Sequence, residues 1–60
     1  MMTTEEKIDI YSIAQDVYEA NCDSRFPDEM LEMAKYLYPD INWDEERTNF
    51  FNNEVNLMAQ

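Results

Sequence analysis

The sixty residues contain no glycine. Tight β-hairpin turns use glycine to reach positive φ, and phosphate-cradling loops use it to bring the backbone close to a ligand. Both kinds of structure are therefore disfavoured, along with any Gly-rich nucleotide motif. A chain this short buries only about 60 % of the surface it exposes when unfolded, so small domains generally need a staple. None is encoded here. Cys22 is the single cysteine and there is no histidine, so neither an internal disulfide nor a structural zinc site of the usual kind can be built. The hydrophobic fraction of 45 % still suffices for a small core. Well-packed helices or oligomerisation remain as the routes to stability.

The segment Tyr36-Leu37-Tyr38-Pro39-Asp40-Ile41-Asn42-Trp43 organises the chain. Pro39 lacks an N–H and disfavours helical geometry at Tyr38, so a helix arriving from the N-terminal side stops there. Asn42 is placed to cap the next helix, with Glu45 three residues on in a variant of the capping box. Trp43 is then expected in the first turn of that helix, buried against whatever the chain folds back onto. The chain is read as one all-α domain over 1–60, a three-helix bundle with helices over about 4–21, 27–38 and 43–58.

The first helix opens at Thr3, the expected N-cap, with Glu6 at the capping-box position. At 100° per residue, Ile8, Ile10, Tyr11, Ile13, Ala14, Val17, Tyr18, Ala20 and Cys22 fill an arc of roughly 240°. That is wider than one neighbour covers. Ile13 and Ala20, at its margin, are candidates for a homodimer contact. Opposite runs an acidic stripe of Glu5, Asp9, Asp16, Glu19 and Asp23, interrupted by Ser12. After a short loop over 21–26, Pro27 suits the first turn of a second helix. Its apolar set is Met30, Leu31, Met33, Ala34, Leu37 and Tyr38. In the third helix Trp43, Phe50, Phe51, Val55, Leu57 and Met58 line one side, with Arg47 and Glu54 inside the same arc. Asn49, Asn52, Asn53, Asn56 and Gln60 are read as its outer face.

Little here suits catalysis. There is no histidine for proton transfer near neutral pH, and Cys22 stands beside Glu19 and Asp23, which raise a thiol pKa and dull it as a nucleophile. Asp40-x-Asn42-x-Asp44 resembles the opening of a calcium loop, but Glu45 stands where glycine is needed and Phe51 where the bidentate acid is needed. Capping accounts for these residues better. No enzyme activity, metal or cofactor is expected.

Four basic residues stand against fourteen acidic ones, a net charge of -10. That opposes direct binding to nucleic acid and to anionic membranes, and favours a basic protein surface as partner. The stripe spans about 27 Å of helix. Its carboxylates stand roughly 5–6 Å apart at steps of three and four residues. The spacing is comparable to that of phosphates along a DNA strand, so the row is a candidate DNA mimic. Arg47 is expected either to pair with an acid of the first or second helix or to join Trp43 and Tyr36 in a contact surface, since these residue types dominate binding hot spots. The candidate partner-binding residues are thus Asp9, Asp16, Glu19, Asp23, Tyr36, Trp43 and Arg47. The asparagine face lacks the cations that would hold phosphates, so base reading is excluded.

In size and charge the chain is similar to small acidic proteins by which viruses and mobile elements block restriction or CRISPR nucleases. The similarity is one of composition, with no shared motif. It implies an inhibitor or adaptor that docks on a basic surface of a larger protein, such as one that binds nucleic acid. The alternative is a homo-oligomeric assembly module. The first seven residues carry neither a basic region nor an apolar signal core, and a lone cysteine fits a reducing compartment, so a cytoplasmic location is expected.

Overall fold

Thr3 starts the first helix as a capping box. Its Oγ1 accepts the Glu6 N–H at 3.1 Å, and its own N–H donates to Glu6 Oε1 at 3.1 Å. Two donors left open at a helix start are satisfied reciprocally in this way. From there the computed structural model, which describes residues 1–20 and 27–59, contains three helices. They are α1 (Thr4–Ala20), α2 (Pro27–Leu37) and α3 (Glu45–Ala59), and no strand occurs among the described residues. The expected end of the first helix at Asn21, the loop over 21–26 with Cys22 and Asp23, and Gln60 lie outside the described residues.

Helix α2 ends without glycine, and no described residue has positive φ. The Tyr38 N–H closes a last bond to the Ala34 carbonyl at 2.8 Å, and Pro39 stops the helix. The Tyr38 carbonyl, left open by that stop, is taken twice. It accepts the Ile41 N–H at 3.3 Å and the Trp43 indole N–H at 3.1 Å. The corner is thus built on one carbonyl.

The start of α3 corrects the sequence reading. The cap is Asp44, not Asn42. Asp44 Oδ1 accepts the Arg47 N–H at 2.9 Å and its carbonyl accepts the Thr48 N–H at 2.9 Å. Trp43 accordingly lies in the connection before α3 rather than in its first turn. The reason is tertiary. The Asp44 N–H folds back on the Asn42 carbonyl at 2.8 Å, and Trp43 uses its non-helical position to reach Tyr38 and to meet the Phe51 ring edge-on, centroids 5.7 Å apart at 84°. Asp44→Ala should therefore cost about 1 kcal/mol in urea unfolding, while Asn42→Ala should be close to neutral. A larger loss for Asn42→Ala than for Asp44→Ala would return the cap to Asn42.

Glu6 in the first turn of α1 pairs with Arg47 in the first turn of α3, so both helices begin at the same end of the bundle. With α2 ending where the short connection to α3 begins, α2 runs opposite to both. The core comprises Met2, Ile10, Ile13, Ala14, Val17, Met30, Ala34, Phe51 and Val55, with Tyr18, Leu31, Tyr38, Ile41, Trp43, Phe50 and Met58 packed around it. Ala14 and Ala34 are fully buried, and their small side chains let the helices approach closely.

Two neighbours do not cover all the apolar residues. On α1, Ile8 and Tyr11 remain exposed while Ile13 goes inside at 6 % exposure. Ile13 is thus part of this chain's own core, and of the two residues proposed for a homodimer contact only Ala20 reaches the surface. On α3, Leu57 is exposed rather than core, and Asn52 is half-buried rather than outer, its Oδ1 shielded from solvent.

Candidate partner-binding surface

The acidic stripe of α1 survives folding as a surface row. Glu5, Asp9, Ser12, Asp16 and Glu19 are all exposed on one side of the helix. Asp23, its expected continuation, lies outside the described residues. Asp16 Oδ2 accepts a hydrogen bond from the Tyr38 hydroxyl at 3.4 Å, which ties one edge of the row to the corner after α2. No described cation forms an ion pair with Glu5, Asp9, Asp16 or Glu19.

Two shallow depressions lie along that edge. One, of about 210 Å³, is lined by Glu6, Asp9, Ile10, Asp40, Ile41, Asn42 and Arg47. The next is lined by Asp9, Ser12, Ile13, Asp16, Tyr38 and Ile41. They share Asp9 and Ile41, so the acidic row and the corner form one continuous, notched surface. Asp40 and Ile41 were not among the partner-binding residues named from sequence. Nothing in a linear reading brings them beside Asp9, since their approach depends on the angle at which the chain leaves α2.

Arg47 does not belong to the exposed surface. Its side chain is 17 % exposed, with Nη2 on Glu6 Oε2 and Nη1 on Asp44 Oδ2, the latter at 2.7 Å. This is the expected ion pair with an acid of the first helix, and the partner is the residue that also completes the capping box of α1. Asp44 caps α3, so one guanidinium joins the N-terminal ends of two helices. The hydrogen bond from Arg47, helped by the Thr3 backbone N–H, holds the Glu6 carboxyl down at about 2, from an ordinary value of 4.5. Glu6 in turn pushes the Arg47 pKa up. Of the three residues expected at the aromatic corner, Trp43 and Arg47 are part-buried, and only Tyr36 is presented fully to solvent, at 84 % exposure.

Asp40, Asn42 and Asp44 form a turn and a cap, with both Asp44 carboxylate oxygens engaged by Arg47. Among the described residues no three acidic or cysteine side chains converge in a metal-binding arrangement. No helix of the described residues is long and apolar enough to cross a membrane. No family model matches the chain, and no curated protein or solved structure matches it.

Proposed function

We propose that the protein is a binding module whose acidic α1 row docks on a basic surface of a larger protein and thereby inhibits or recruits it. The observation that carries this reading is the segregation of charge. Glu5, Asp9, Asp16 and Glu19 stand exposed in a row with no described cation paired to them, while Arg47 is spent on Glu6 and Asp44. A nucleic-acid-binding enzyme offers the complementary surface, a basic groove that otherwise takes phosphates. The small size and the charge of -10 suit an inhibitor of the kind viruses and mobile elements direct against nucleases. On this reading the protein works in the cytoplasm, as a binder and not as a catalyst.

The test uses the partner recovered by pull-down, immobilised for surface plasmon resonance at two salt concentrations. Neutralising Asp9, Asp16 and Glu19 together, to Asn, Asn and Gln, should slow association about tenfold or more, since long-range charge acts on encounter rates. The salt dependence should flatten with it, because salt screens exposed charges beyond about 8–10 Å. Fold stability should hold or rise as like charges are removed. An unchanged association rate with an unchanged salt slope would reduce the row to a solvated face.

A further inference from the structure

The apolar arc of α2 is wider than the part the bundle covers. At 100° per residue it runs from Leu31 and Tyr38 through Ala34 and Met30 to Leu37 and Met33, an arc of about 160°. Only its middle is fully buried, at Met30 and Ala34. One flank keeps exposed surface, with Leu37 at 52 % and Met33 at 36 % exposure. Tyr36, at 84 % the most exposed large hydrophobic side chain of the described helices, stands next to Met33 at a three-residue step. Met33, Tyr36 and Leu37 thus form an i, i+3, i+4 triplet at the surface, the spacing with which one helix receives the ridge of another. Tyrosine and methionine suit such a contact, the one as a large rigid anchor and the other as an adaptable filler.

We infer that this flank of α2 docks a basic amphipathic helix of a partner protein. Charge complementarity selects the occupant. Glu32 is exposed on the same side, one turn before Tyr36. Lys35, the one cation of α2, leaves the helix about 160° away from both Met33 and Leu37. A partner helix therefore meets apolar side chains over the triplet and the Glu32 carboxylate beside Tyr36, on a chain of net charge -10. A second copy of this chain would bring a further -10 of charge to the contact, which opposes self-docking. The inference shares a basic partner with the α1 reading but uses a different face, so the two stand or fall separately.

The experiment is fluorescence anisotropy of a labelled synthetic helical peptide with leucine at core heptad positions and lysine elsewhere. Two control peptides keep the design but replace lysine by glutamate, or leucine by serine. The wild-type protein should bind the Lys–Leu peptide and neither control to a comparable extent. Tyr36→Ser with Leu37→Ser should weaken binding about tenfold or more, as loss of a central contact does. Tyr36→Lys, at a side chain that is 84 % exposed, should do the same, with circular dichroism unchanged in both variants. The Asp9, Asp16, Glu19 neutralised protein should keep the triplet's contribution, so that the Tyr36 and Leu37 changes still weaken its binding. Three results overturn the inference: affinity that survives the Tyr36 and Leu37 substitutions, equal binding of the Lys–Ser peptide, or no binding at all. A dimer in sedimentation that those substitutions dissolve would also overturn it, by assigning the flank to a second copy.

Discussion

Phe51→Ala should leave a chain that no longer holds its fold. Phe51 is fully buried at 0 % exposure, in the cluster where all three helices contribute, and it receives the Trp43 ring edge-on. Truncating a buried phenylalanine removes its transfer free energy and leaves a cavity, a loss of about 3–5 kcal/mol. A sixty-residue domain has roughly 3–9 kcal/mol in total, from the usual stability per residue. The single cysteine leaves no internal disulfide to offset the loss. Circular dichroism should show little helix at room temperature, since helices of eleven to seventeen residues are marginal in water without packing. Trp43→Ala should cost less than Phe51→Ala, because Trp43 is only half-buried. A well-folded Phe51→Ala protein, melting within a few degrees of wild type, would place the centre of the core elsewhere.

The local punctuation of the chain was readable because it depends on neighbours in sequence. Thr3 with Glu6 starts α1, Pro27 opens α2, and Pro39 closes it. The start of α3 was not readable. Asn42 and Asp44 are both good caps, each followed by acids, and the choice between them was settled by the Tyr38 carbonyl drawing the Trp43 indole out of helical register. The same limit applies to burial. A helical wheel gives an apolar arc but not which part the neighbours cover, so Ile13 moved inward while Ile8, Leu37 and Leu57 stayed out. At the candidate site, the acidic row could be read from a spacing of three and four residues along one helix. Its notched edge with Asp40 and Ile41 could not, because those residues are about thirty positions from Asp9 and meet it only through packing. Glu6 was assigned to capping alone, and that local role hid its long-range tie to Arg47.

That tie gives the protein an unusual expected response to acid. Two effects act in opposite directions. From neutral pH down towards the isoelectric point near 4.1, protonation of exposed carboxylates relieves the self-repulsion of a -10 chain, so thermal stability should rise. Added salt should flatten this limb by screening. Glu6 works the other way. Its pKa is lowered from 4.5 to about 2 in the folded protein, so the folded state favours its carboxylate. The stability linked to that preference is fully present above about 4.5 and is lost as pH falls through about 2. Glu6→Gln separates this linkage from helix capping, because glutamine can still accept the Thr3 N–H in a capping box. It removes the charge that faces Arg47 and, with an amide nitrogen in place of Oε2, the acceptor of the Arg47 hydrogen bond. The variant should therefore melt below wild type at pH 7, and the gap should close progressively between about pH 4.5 and 2 as wild-type Glu6 takes up its proton. Thermal melts followed by circular dichroism across pH 2–8 read this directly. No gap at pH 7 would mean that Glu6 contributes through its hydrogen bond to Thr3 alone and that Arg47 does not join the two helix ends in solution, while a gap that stays constant over the acid range would unlink the loss from protonation of Glu6.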